Sequence, residues 1–190
     1  MTPSEARRPE GHLVVIDMQQ IFADPESEWS TPRFGEIAAT VGRLVDAYSP
    51  RVTFTRFLAP AVPADAWRRY YERWPFALQP PDALAWQIVE SLTPQALRTG
   101  PTLDATTFGK WGQELAARIG DADPVVLTGV STDCCVLSTA LAAADAGRHV
   151  VIVGDACAGA DDAAHGQALA IMRLYAPLID VVDSAYLLGS

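Results

Sequence analysis

Four residues in the sequence could carry covalent or acid–base chemistry. Cys134 and Cys135 stand side by side in the stretch Gly129-Val130-Ser131-Thr132-Asp133-Cys134-Cys135-Val136. Ser131-Thr132-Asp133 opens a helix, so both thiols fall in its first turn, where unpaired backbone N–H groups and the helix dipole favour negative charge. A thiol there is biased towards thiolate, the nucleophilic form. Consecutive helical residues differ by about 100° in direction, so one cysteine faces a pocket while its neighbour packs inward. The alternative is a pair of small buried residues at a tight turn, because cysteine is among the most buried types. Asp17 follows an apolar run and either caps a loop or serves as a general base or orienting carboxylate on rigid scaffold. Lys110, between Phe108 and Trp111, either acts electrostatically or as a proton donor, or lies over the two aromatics at the surface.

The surrounding elements explain how such residues could meet. Val125 to Leu127 is an apolar run that ends in a turn at Thr128-Gly129, and the helix after it closes at Gly147 before a second run, His149 to Val153. Strand, helix and strand in that order form a parallel βαβ unit with a right-handed crossover. The two cysteines therefore sit at the carboxyl end of a strand, the edge of an open sheet where ligands bind. His12 to Ile16 (HLVVI) reads as a strand buried on both faces, with Asp17 at its carboxyl end.

Further along, a helix is expected from Pro32 or Arg33 to Ala47, with apolar spacing at Ile37, Val41, Leu44 and Val45. Strands are expected at Arg51 to Phe57, Leu97 to Leu103 and Ile179 to Val182. Helices are expected at Gln113 to Ile119 and Ala160 to Tyr175, with a final turn over 184–188. Residues 58–81 are proline-punctuated and hold an aromatic, basic segment, Trp67 to Phe76, suited to a lid, a pocket wall or a subunit contact. Repeated β and α elements imply one layered α/β sheet.

Composition narrows the function. The 190 residues carry 14 Lys and Arg against 23 Asp and Glu, a formal net charge of −9, which disfavours nucleic acid or an anionic membrane as partner. With 49% hydrophobic residues the chain can build a sizeable core, and one domain over 1–190 is expected, with residues 1–10 as a polar tail. No apolar run approaches a membrane span, and three cysteines without metal-ligand spacing fit a reduced, cytoplasmic setting. There is no GxGxxG after the first strand, no GxxxxGK[ST] and no GxSxG elbow, so phosphate cradles and α/β-hydrolase serine chemistry lack support. His12, His149 and His165 share no metal-ligand spacing.

The segments GVSTDCCVLSTALAAADAG and VVIVGDACAG, with VVIDMQ at Val14 to Gln19, resemble the signature of the isochorismatase-like cysteine hydrolases, a superfamily of nicotinamidases, N-carbamoylsarcosine amidase and related amidases. The resemblance covers most of the chain and is weakest over 58–100. It implies a three-layer α/β/α, Rossmann-like, mostly parallel sheet of about six strands, and a small-molecule substrate without a cofactor. In the family pattern the cysteine directly before the valine is the nucleophile, here Cys135, and the aspartate of the first-strand motif, here Asp17, is catalytic. A cis peptide maps to Val130-Ser131, with the N–H groups of Ser131 and Cys135 as oxyanion hole.

The family lysine would fall near Asp104 or Ala105, where none stands. Either the following loop is rebuilt to present Lys110, or the lysine function is absent. Phe22, Phe57 and Trp111 are candidates to line the substrate site, and Trp29, Trp67, Tyr70, Tyr71 and Trp74 could add aromatic surface. The region after the second strand, FTRFLAPAVPADAW, has no histidine, so no metal site is expected and nicotinamidase is less favoured than another amide or ureido hydrolase. The resemblance also leaves open a weakened relative acting as a binding protein and an isochorismatase-type vinyl-ether hydrolase. A homodimer or homotetramer is expected.

Overall fold

The apolar runs of the sequence form the strands of one sheet. In the computed structural model, which describes residues 9–189, six strands occur: β1 (His12–Ile16), β2 (Val52–Phe57), β3 (Leu103–Ala105), β4 (Val125–Val130), β5 (Val150–Ala158) and β6 (Ile179–Val182). They pair in the order β3-β2-β1-β4-β5-β6, and every pairing is parallel. The chain builds outward from β1 in one direction and then from β4 in the other. The crevice beyond the carboxyl ends of β1 and β4 is thus the switch point at which open α/β sheets bind ligands. Asp17 follows β1 there, and Ser131 follows β4.

The helices are α1 (Gln20–Ala23), α2 (Phe34–Tyr48), α3 (Asp65–Arg73), α4 (Thr93–Thr99), α5 (Gln113–Ile119), α6 (Leu137–Asp145), α7 (Asp162–Arg173) and α8 (Ser184–Leu188). Successive side chains of β1 go to opposite faces of the sheet. Leu13 and Val15 join the layer of Ile37, Val41 and Leu44 on α2. Val14 and Ile16 join Leu115 and Ile119 on α5 and Ala140 and Ala143 on α6. Burial on both faces explains why HLVVI is apolar throughout instead of alternating. Each of its large side chains contributes about 1.5–3 kcal/mol of burial. The result is the three-layer α/β/α sandwich the sequence leads one to expect.

Some elements differ from the sequence reading. Leu97 to Leu103 is not a strand: residues up to Thr99 belong to α4, and β3 is only Leu103–Ala105. Pro94 sits in the first turn of α4, where its missing N–H costs nothing, and Ala96 is buried while Leu97 is 78% exposed. One helical face is buried there, whereas a strand in this sheet would bury two. The strand expected at His149 to Val153 continues to Ala158, with a register shift against β4 between Leu127 and Gly129. The proline-rich 58–81 region includes α3, and 184–188 is helical. The tail expected over residues 1–10 lies, for residues 1–8, outside the described residues. Among the described residues no helix is long and apolar enough to cross a membrane.

Gly129, near the end of β4, has φ +111°, and a Cβ placed there would sit 2.1 Å from the Ile16 carbonyl oxygen. Only glycine permits so close an approach of β4 to the end of β1, the approach that sets the cysteine turn beside Asp17.

Candidate active site

Beyond Gly129 the Val130-Ser131 peptide is cis, and Thr132–Val136 forms a π-turn in which Val136 N–H donates to the Ser131 carbonyl at 3.1 Å. π-Turns are rare and concentrate at functional sites. Their wider winding brings successive side chains closer in direction than an α-turn does. Consequently both Cys134 and Cys135 line the same cavity, whereas α-helical spacing predicts only one. Cys135 is buried and Cys134 half-buried. The same turn is held by distant segments: the Asp133 carboxylate accepts from Ala160 N–H at 2.9 Å, and Thr132 Oγ1 is 2.9 Å from His165 Nδ1.

Asp17 has φ +49°, a left-handed conformation sparsely populated by residues other than glycine and typical of functional positions. Its Oδ1 accepts from the Thr55 hydroxyl at 2.6 Å, and its N–H donates to the same hydroxyl oxygen at 3.2 Å. Its Oδ2 lies 2.9 Å from the Lys110 ammonium, and both side chains are fully buried. Lys110 Nζ also donates to the Thr107 carbonyl at 2.9 Å and stands 5.1 Å from the centre of the Phe57 ring. Its backbone N–H donates to Thr139 Oγ1 at 2.9 Å, and that hydroxyl donates to the Cys135 carbonyl at 2.6 Å. The lysine loop and the cysteine turn are therefore tied together through one threonine.

Lys110 arrives on the loop after β3. Asp104, where the resemblance would put a lysine, is instead paired with Arg56 across the β2–β3 ladder, with contacts of 2.9 Å and 2.6 Å. Neither Asp104 nor Ala105 lines the cavity. The loop runs so close to α6 that a Cβ placed at Gly109 would sit 3.5 Å from the Ser138 carbonyl oxygen, and Lys110 follows beside Thr139.

The cavity measures about 450 Å³ and has the cysteine turn, with Ser131, on one side. Six rings, those of Phe22, Trp29, Phe57, Tyr70, Trp74 and Phe108, line most of the rest, together with Glu28, Ser30 and Ala160. Trp29 packs against five rings at centroid distances of 5.3 to 6.4 Å, so the wall is one interlocked aromatic assembly. Of the candidates read from the sequence, Phe22, Phe57, Trp29, Tyr70 and Trp74 meet at this cavity. Trp67 packs behind it on Phe108 at 5.0 Å, and Tyr71 is buried. Trp111 does not reach it: its ring packs with the opposite layer and lies 5.8 Å under the Arg148 guanidinium.

The two adjacent thiols are shifted in opposite directions. A hydrogen bond with Cys134, burial and the nearby Asp17 carboxylate push its thiol well above the usual range, with Lys110 pulling the other way. Cys134 is held below its usual value, chiefly by that same hydrogen bond. Cys157, buried in β5, is pushed up to about 12 by burial and stands away from the cavity. The Tyr70 phenol is raised, first by burial and then by the two thiols.

The histidines are dispersed. His12 is 2.9 Å from Thr53 Oγ1, and His149 lies 2.8 Å from Asp180. Among the described residues no three His, Cys, Asp or Glu side chains gather as a metal set would.

Three supporting residues escaped the sequence reading. Thr55 is one polar member of an alternating strand, and Thr139 lies one helical turn after Cys135; each is legible only as a pattern position. Gln19, fully buried, accepts from Phe57 N–H and donates to the Phe57 and Trp86 carbonyls, fixing the end of β2 on which the Phe57 ring stands. A glutamine two residues after a candidate catalytic acid, closing the VVIDMQ segment, was the available signal.

A family model described as an isochorismatase domain matches residues 12–184. An isochorismatase family protein from Desulfovibrio vulgaris superposes with a TM-score of 0.77 at 24% identity, over 94% of this chain and 96% of that one. A cysteine hydrolase from Pseudomonas syringae pv. phaseolicola gives 0.75 at 18% identity, over 100% and 97%. A nicotinamidase from Bacillus subtilis gives 0.71 at 22%, over 90% and 98%. No curated protein sequence matches the chain.

Proposed function

As the chain belongs to the isochorismatase family of hydrolases, we propose that it hydrolyses small amides or ureides through a thioester on Cys135. The observation that carries this reading is the buried Asp17–Lys110 pair at 2.9 Å, joined through Thr139 to the cysteine turn. It gives the reaction a base, a fixed cation and a nucleophile in one place.

The raised thiol of Cys135 argues against a preformed thiolate. In this scheme Asp17 removes the proton as the sulfur attacks the carbonyl carbon, and Lys110 offsets the charge on the pair. The carbonyl oxygen, now negative, is met by the backbone N–H groups of Ser131 and Cys135. Asp17 then returns the proton to the departing nitrogen, ammonia or an amine leaves, and a thioester remains. Water, deprotonated by Asp17, attacks the thioester carbonyl; the C–S bond breaks, the acid is released, and Asp17 passes the proton to the sulfur to restore the Cys135 thiol. Thr55 holds Oδ1 of the aspartate, leaving Oδ2 beside the lysine for this traffic.

The reading as a weakened relative acting as a binding protein invokes a missing lysine; the buried Lys110 on Asp17 supports the catalytic reading over it. The test is a screen of primary amides for ammonia release, followed by mass spectrometry of quenched enzyme. Release that disappears in Cys135→Ala and Asp17→Asn, with an acyl adduct on Cys135 in the wild type, supports the proposal. Turnover undiminished in Cys135→Ala overturns it.

A further inference from the structure

The cavity that opens onto Cys135 is unusual in its charge. Its walls are the six aromatic rings, and the ionisable groups that line it besides the thiols and the Tyr70 phenol are the carboxylates of Glu28 and Asp133. No arginine, lysine or histidine is among its lining residues. Lys110, paired with Asp17, stands 5.1 Å from the centre of the Phe57 ring, and Arg73 stacks 5.1 Å over the Trp74 ring; neither cation lines the cavity.

Aromatic faces carry negative electrostatic potential, and rings grouped around a cavity attract weakly hydrated cations. The Glu28 carboxylate beside Trp29 and the Asp133 carboxylate of the cysteine turn, which accepts from Ala160 N–H, add to that field, and a carboxylate ligand would meet repulsion with no lining cation to pair it. We propose that this cavity takes substrates bearing a permanent or methylated ammonium group and rejects those bearing a carboxylate. The proposal rests on the hydrolase reading only for where the scissile bond would lie, at Cys135; the head group would sit among Trp29, Tyr70 and Trp74 beside Glu28. A volume of about 450 Å³ suits a small substrate of this kind.

The test separates recognition from catalysis. Binding is measured by isothermal titration calorimetry on Cys135→Ser, which needs no turnover, with choline, its uncharged carbon isostere neohexanol, and the matching anion tert-butylacetate. Choline is expected to bind about tenfold or more tightly than neohexanol, with tert-butylacetate weakest. Glu28→Gln, a change at an exposed turn residue that leaves the aromatic wall in place, is expected to shrink the preference severalfold, and Trp29→Leu to abolish it. Equal binding of choline and neohexanol, or tighter binding of tert-butylacetate, overturns the proposal. Because wild-type ammonia release is read separately, a retained choline preference without hydrolysis would sink the catalytic reading alone.

Discussion

Asp17 Oδ2 and the Lys110 ammonium lie 2.9 Å apart with both side chains wholly excluded from solvent, although the residues come from opposite ends of the β1–β2–β3 half of the sheet. Such a pair is costly to assemble and more costly to break, because removing one partner leaves an uncompensated charge in the interior.

Lys110→Met is expected to lower stability by about 3–5 kcal/mol in urea unfolding. The double variant Asp17→Asn, Lys110→Met should recover a substantial part of that loss, since no lone charge remains. A single-variant loss below about 1 kcal/mol, or strict additivity, would contradict the pairing. Lys110→Arg should not restore hydrolysis, because a planar guanidinium does not replace a compact ammonium in so closed a site.

Thr139 has a hydroxyl that accepts from Lys110 N–H and donates to the Cys135 carbonyl. Thr139→Val leaves both groups without this partner and is expected to cost about 1–3 kcal/mol. Where turnover is detected, kcat should fall with little change in KM, and Thr139→Ser should restore it. A stability loss with unchanged kcat would reduce the residue to a purely structural tie.

The hydrogen bond between the two thiols is the leading cause that raises Cys135 and lowers Cys134. Cys134→Ala removes it, so Cys135 should ionise at lower pH and be alkylated faster by limiting iodoacetamide near neutrality. Peptide mapping reads the outcome directly. Alkylation of Cys135 that stays the same or slows would show that burial and Asp17 alone set its state.

His12 is pushed down to about 4, first by burial and then by the Arg51 guanidinium. Its folded value lies below the unfolded value of about 6.5, so the folded state takes up the proton less readily than the unfolded one. This contribution to stability is present in full above about pH 6.5 and is lost as pH falls towards 4; the gap corresponds to about 3 kcal/mol. Wild type should therefore lose about that much more than His12→Gln between neutral pH and pH 4 in urea unfolding. Parallel losses in the two proteins would refute the assignment.

Much of this architecture was legible from residue types. The HLVVI run gave β1 with its bounds, Gln113 to Ile119 gave α5, and Ile179 to Val182 gave β6, because each is a local pattern whose burial its own residues announce. Leu97 to Leu103 misled because two leucines bracket a short apolar-looking stretch, while Pro94 in the first turn and the packing of α4, with Ala96 buried, against β2 and α2 decide in favour of a helix. The length of β5 was hidden because Asp155 interrupts its apolar run. That carboxylate accepts from the Ser184 N–H and hydroxyl at the start of α8, a partner many residues away.

By itself the sequence determined which side chains could do chemistry and at which strand ends they stand, since strand burial and the cysteine-bearing turn are written in short, contiguous patterns. Only the tertiary structure decided that Lys110 reaches Asp17, that Asp104 is drawn aside by Arg56, and that a π-turn sets both thiols in one aromatic cavity. The physical reason is that a charge pair, a hydrogen bond or a ring contact between distant segments depends on where packing brings their backbones, and local residue preferences do not encode that distance.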